Sequence, residues 1–177
     1  MATGPKRKYV RTTKLDDVSI GKIGEHLSTI LLLKEGCFDV ELLGGVCPAF
    51  DLLCTIKDKA KPYMFIVQVK AMETGKFTKK VPICIKTPVP GEKLKWLANR
   101  PLPSYIMGVD ISKNEAYIAP AFDNSITYTN IPTKYKMELS NVPALCRLLN
   151  DIKDEVIRYW DGNNISDYKH KFKSILV

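Results

Sequence analysis

The segment Tyr63-Met-Phe-Ile-Val-Gln-Val-Lys70 constrains this chain more than any other. A run so rich in β-branched and aromatic residues reads as a strand, apolar enough to lie at the centre of a sheet. Strand alternation puts Gln68 and Lys70 on one face and Val69 on the other. An amide and an ammonium side by side on a central strand are expensive to bury, unless that face opens into a wet cleft. The plainer alternative is that the strand emerges into solvent there.

The flanking sequence extends the sheet. Phe38-Asp-Val-Glu-Leu alternates with period two, Gly44-Gly45 breaks it, and Ala49–Ile56 reads as a second strand. The polar turn Lys57-Asp-Lys-Ala-Lys-Pro62 leads into the central strand, so the three form an antiparallel meander. Before them, Asp17 or Ser19 can cap a helix running to about Lys34, with Ile20, Ile23, Leu27, Ile30 and Leu31 at helical spacing and Gly36 ending it. After them come a short strand in Val81–Lys86 and a helix over Glu92–Asn99. Strands follow at Ser104–Asp110 and Glu115–Ala119, then a last helix from Asn141 to about Trp160. Residues 120–138 show no clear period. The order predicts an α/β fold with a central mixed β-sheet flanked by α-helices.

At 177 residues the chain is expected to form one domain over 15–177, preceded by a flexible basic arm at 1–14. With 45% hydrophobic residues it can bury a real core. No apolar run approaches the roughly 18 residues of a membrane helix, and the polar, basic start is not a secretory signal. Five cysteines with no C-x-x-C indicate neither a disulfide framework nor a zinc cluster, and suit a reducing, cytoplasmic setting. Two histidines, His26 and His170, leave little for a His-rich metal site or a Ser-His-Asp triad.

The net charge of +8 is unevenly placed. Residues 1–14 and 168–177 hold basic residues and no acidic ones, while the stretch between them balances. Within that neutral body, residues 57–100 carry 11 basic residues against three acidic, and the flanking stretches are net acidic. Such polarisation suggests a polyanion partner, although basic arms can also serve solubility alone.

Two further polar residues stand out beside Gln68 and Lys70. Glu25 follows Gly24, with Gly21 one turn back, so the helix face beside this carboxylate is bare and open to close approach. Asp51 interrupts the apolar run Ala49–Leu53. Each has an ordinary reading, as a solvated glutamate and as a turn-proximal aspartate. Together they are more specific. Asp51 lies 17 residues before Gln68 on its hairpin partner, so Asp51, Gln68 and Lys70 can meet at one sheet edge, with Glu25 reaching them from the helix. Carboxylate and amide oxygens with a main-chain carbonyl, that of Val69, are donors a hard divalent cation prefers.

The set Gly24-Glu25, Pro48-Ala-Phe-Asp51 and Val67-Gln-Val-Lys70 resembles the PD-(D/E)XK nuclease superfamily, in its Mrr-like branch with Gln-x-Lys, whose core archaeal Holliday-junction resolvases share. More narrowly it resembles a small bacterial Mrr-like family of unassigned function, which also tends to show an aromatic-containing helix and a Pro-led strand ending in Asp. Those correspond here to Leu94-Lys-Trp96, Pro103–Asp110 and Glu115-Ala-Tyr-Ile. The resemblance covers about residues 17–120 and leaves a C-terminal helical extension, about 139–160, outside it. It implies a restriction-endonuclease-like core and Mg²⁺- or Mn²⁺-dependent hydrolysis of nucleic-acid phosphodiesters, DNA before RNA, in a restriction or anti-phage setting. Asp51 would be the main metal ligand, Gln68 the second with the Val69 carbonyl, Lys70 the catalytic lysine and Glu25 the helix-borne acid. The chain departs from the pattern in carrying Gln68 where many members have an acid, and Ala49-Phe50 before Asp51. Lys57, Lys59 and Lys61 on the hairpin, and Lys76, Lys79 and Lys80 after the strand, are the candidates for tracking phosphates. The alternatives are a nucleic-acid-binding module without catalysis and an assembly subunit, such as a homodimer, joined through the Leu145–Trp160 stripe.

Overall fold

The computed structural model describes residues 15–43, 50–121 and 130–162. Their order is α1 (Asp17–Leu33), β1 (Phe38–Leu42), β2 (Leu52–Ile56), β3 (Met64–Met72), β4 (Cys84–Lys86), α2 (Gly91–Ala98), β5 (Ser104–Asp110), β6 (Glu115–Pro120), β7 (Asn130–Pro132), β8 (Lys136–Glu138) and α3 (Val142–Trp160). Six strands form one sheet in the order β1-β2-β3-β5-β6-β8. The pairs are antiparallel except β3 and β5, which run parallel, so the sheet is mixed and the fold is α/β. β4 and β7 pair in a separate two-stranded sheet.

The central strand sorts its side chains as alternation requires. Phe65, Val67 and Val69 enter one apolar cluster with Leu31 and Leu32 of α1 and Leu145, Leu149, Ile152 and Val156 of α3. Ile66 enters a second cluster on the opposite face, with Ile85 and Ile131 of the small sheet and Leu94 and Leu97 of α2. The molecule is therefore layered: α1 and α3 on one face, and α2 with the β4–β7 ribbon on the other. Gln68, Lys70 and Asp51 belong to the second face by alternation.

Several local expectations shift. Asp16 caps α1, accepting from the Ser19 N–H at 2.7 Å and from its hydroxyl at 3.1 Å, so Asp17 and Ser19 are not the cap. The buried face of α1 is Gly24, Ser28, Leu31 and Leu32, whereas Ile23 and Ile30 are exposed. α1 is apolar on more than one side, so periodicity alone did not fix its orientation. Gly36 ends the region as expected, with φ of +66°. β2 begins at Leu52, so Asp51 sits in a bend before the strand, and β3 continues past Lys70 to Met72. β7 and β8 each have three residues, too few to show a period.

The stripe on α3 packs inward. Leu145, Leu149, Ile152 and Val156 are buried, Leu148 packs against them, and the Trp160 indole N–H donates to the Met64 carbonyl at 2.8 Å. Most of the stripe is therefore core, and its last residue, Trp160, stays 39% exposed. No helix among the described residues is long and apolar enough to cross a membrane. Cys37, Cys54, Cys84 and Cys146 are free thiols.

A buried acid on α3 packs into this core. Glu155 of α3 accepts from the Tyr105 hydroxyl at 2.6 Å and is 5% exposed. Burial pushes its carboxyl up to about 8. Between the ordinary value of 4.5 and about 8 the folded chain holds a proton that the unfolded chain loses, so this group makes stability fall as pH rises through that window. Glu155→Gln is expected to flatten the fall. Urea midpoints should nearly coincide for the two proteins at pH 4.5 and favour the variant clearly at pH 8.5. An unchanged pH profile would show that Glu155 is not held neutral.

Candidate metal and phosphate site

Asp51 closes the end of β2. Its N–H donates to the Val67 carbonyl at 2.9 Å, the last main-chain bond holding it beside β3. Its Oδ2 then accepts from the Val69 N–H at 2.6 Å and from the Gln68 side-chain amide. The carboxylate thus takes over a β3 donor at the end of the β2 ladder. It is half-buried, and burial raises its pKa against the opposing effects of the Val69 N–H, of Lys93 and Lys70, and of Gln68.

Gln68 is 1% exposed on β3. Its Nε2 lies between Asp51 Oδ2 and the Val69 carbonyl oxygen, the latter at 3.0 Å, while its Oε1 is buried with no hydrogen-bond partner. A buried amide oxygen without a donor is costly. Rotating the amide by half a turn would bring Oε1 among those same oxygens, an arrangement that needs a cation at its centre. The donor set of one carboxylate, one amide oxygen and one main-chain carbonyl suits Mg²⁺ or Mn²⁺. No group of three or more His, Cys, Asp and Glu side chains gathers among the described residues, so a cation here would rely on this mixed set.

Glu25 reaches the same end of β3 because Gly24 lets α1 lie directly on it. A Cβ at Gly24 would overlap the Ala71 side chain and come within 3.7 Å of Val69 Cγ1. The other glycine of α1, Gly21, has nothing within 4 Å of the same construction, so within α1 Gly24 alone is a close-approach position. Glu25 is half-buried, and its pKa is raised first by that burial and then by the Asp51 charge. Lys70 is half-buried on β3 and pairs with Gly108 of β5. The absence of a side chain at Gly108 lets the Ile85–Thr87 segment lie close on the sheet there, since a Cβ would stand 2.9 Å from Thr87 Oγ1.

The expected lysines divide. Lys76, Lys79 and Lys80 are exposed and follow the end of β3 that carries Lys70. Lys57, Lys59 and Lys61 stand at the other end of β2, about 20 Å from Asp51 by strand rise, and Lys57 pairs with Asp39 at 3.0 Å. They do not belong to this site. A residue missing from the sequence reading takes their place: Lys93 of α2, whose charge acts on Asp51 ahead of that of Lys70. α2 is held over this end of the sheet by Trp96, which stacks on Phe50 with centroids 6.3 Å apart. The sequence signals for Lys93 were its place in the basic stretch 57–100 and its position one turn before that tryptophan.

Both carboxyls are held above their ordinary values, so protons compete with metal at higher pH than usual. If Mn²⁺ binds here, its affinity, measured by titration calorimetry, should rise with pH across the range in which these carboxyls lose their protons, with proton release on binding. Affinity that stays constant across the whole of that range would mean that neither carboxylate is a ligand. Comparison with protein-family models, with curated proteins and with solved structures gives no match.

Proposed function

We propose that the chain is a metal-dependent nuclease with a restriction-endonuclease-like core, hydrolysing phosphodiester bonds of nucleic acid, DNA before RNA. The observation that carries this is the convergence of Asp51, Gln68 and the Val69 carbonyl midway along β3, where β2 begins, with Lys70 and Glu25 nearby. The basic stretch 57–100, which includes Lys70, Lys76, Lys79, Lys80 and Lys93, supports a phosphate-bearing substrate.

Asp51, Gln68 and the Val69 carbonyl would hold Mg²⁺ or Mn²⁺, with Glu25 as the further acid. Bound there, the metal would supply charge neutralisation at the scissile phosphate and a more acidic water. The chain's own residues do the rest. Lys70, on the same strand face as Gln68, orients the attacking water and stabilises charge developing on phosphate oxygens. The Glu25 carboxyl, raised by burial and by the Asp51 charge, keeps its proton to higher pH than an exposed glutamate does, which suits a role in proton transfer. The Val69 N–H fixes the Asp51 carboxylate so that it need not reorganise.

The test is incubation of the purified protein with duplex, single-stranded and branched substrates in Mg²⁺, Mn²⁺ or EDTA. Metal-dependent cutting is expected, and no cutting of any substrate would defeat the proposal. A second reading, a binding module without catalysis, is favoured by one observation: Gln68 contributes no charge, and among the described residues Asp51 is the only carboxylate hydrogen-bonded to it. Salt-sensitive binding that is indifferent to metal, with no cleavage, would support that reading.

A further inference from the structure

We propose that α2 and the residue pair after it form a nucleotide subsite beside the scissile phosphate, so that the substrate must present an unpaired base there. This rests on the nucleic-acid reading of the Asp51 site and adds to it the form of nucleic acid the site accepts.

The subsite is built from two parts. Lys93 and Trp96 lie one turn apart on α2 and so share a face. Trp96 stacks against Phe50, the residue before Asp51, with rings 26° from parallel, and this fixes that face of α2 over the beginning of β2. Lys93 is thereby directed toward the carboxylate end of the site, opposite the side from which α1 brings Glu25. A lysine so placed, with Lys70 on the sheet below, suits a phosphate lying between them.

The second part is Arg100. The chain leaves α2 at Asn99 and turns back, the Arg100 N–H donating to the Leu97 carbonyl at 3.3 Å. This lays the guanidinium over the Trp96 ring, 3.7 Å from its centroid. Arg100 is exposed, and its guanidinium covers the ring that itself stacks on Phe50, so it offers a surface to a base arriving from solvent. Bases stack on arginine planes as they do on aromatic rings, and only an unpaired or terminal base offers a free face for this. A phosphate held by Lys93 and a base laid on Arg100 are adjacent parts of one nucleotide chain.

The experiment uses the full chain carrying Asp51→Asn, in EDTA, so that nothing is cut. Fluorescence anisotropy measures binding to a 12-nucleotide DNA strand, an RNA strand of the same sequence and the blunt DNA duplex across salt concentrations. Arg100→Ala and Arg100→Lys are each expected to weaken strand binding about 5-fold or more while leaving duplex binding unchanged, because lysine keeps the charge and loses the plane. Lys93→Ala is expected to weaken every substrate and to lower the salt slope by about 1. Unchanged duplex binding by the Arg100 variants also reports that they are folded. The subsite is overturned if Arg100→Lys binds strands like its parent, if the Arg100 losses are equal on strand and duplex, or if Lys93→Ala alters neither affinity nor slope. These outcomes are separate from catalysis. A wild-type protein that never cuts, with the binding losses intact, would sink the nuclease reading and keep the subsite. Cleavage with unaltered binding in the variants would sink the subsite alone.

Discussion

Lys70→Ala and Asp51→Ala should each reduce metal-dependent cleavage by about 100- to 1,000-fold, the scale seen when a group acting directly on developing charge is removed. The two should fail for different reasons. Asp51 would be a metal ligand, so the wild-type protein should melt at higher temperature in Mn²⁺, and the Asp51→Ala variant should lose that rise. Lys70 is not a ligand in this account, so Lys70→Ala should keep that rise while losing cleavage. Asp51→Ala also leaves the Val69 N–H without its acceptor, at a cost of about 1–3 kcal/mol. Asp51→Asn retains an acceptor and separates that structural loss from the chemical one. Cleavage by either variant at the wild-type rate would remove the residue from the mechanism.

The central strand was legible because its pattern is local: alternation alone put Gln68 and Lys70 on one face, and the 17-residue spacing brought Asp51 to Gln68. Less was legible where position depends on distant packing. Lys93 acquires its place because α2 packs on the sheet through Leu94 and Leu97 and its Trp96 stacks on Phe50, contacts between residues far apart in the chain. The hairpin lysines looked close to the site in sequence, yet β2 carries them to its far end. The orientation of α1 could not be read from Ile23 and Ile30, which are exposed, because a single small residue decides it.

That residue gives the second large effect. Gly24→Ala inserts a methyl group where the Ala71 side chain already lies, so α1 must move away from β3. Overpacking of this kind costs typically about 1–3 kcal/mol, against a helix-propensity gain of up to about 1 kcal/mol. Net destabilisation is therefore expected. Cleavage should fall with it, because the same movement withdraws Glu25. Gly21→Ala, with open space around it, should instead stabilise the protein by up to about 1 kcal/mol and leave cleavage intact. Adding Ala71→Gly to Gly24→Ala should restore part of both losses, as coupled neighbours do. If both glycine variants behaved alike in urea unfolding and in cleavage, the close approach of α1 would not be what positions Glu25.

The most direct measurement is a crystal structure of the protein soaked in Mn²⁺, with anomalous data. The expected result is one peak bounded by Asp51, the Gln68 side-chain oxygen and the Val69 carbonyl, with the Gln68 amide turned so that Oε1 faces the ion. Manganese bound elsewhere, or a Gln68 nitrogen still donating to Asp51 at saturating Mn²⁺, would contradict the assignment of this site as a metal centre.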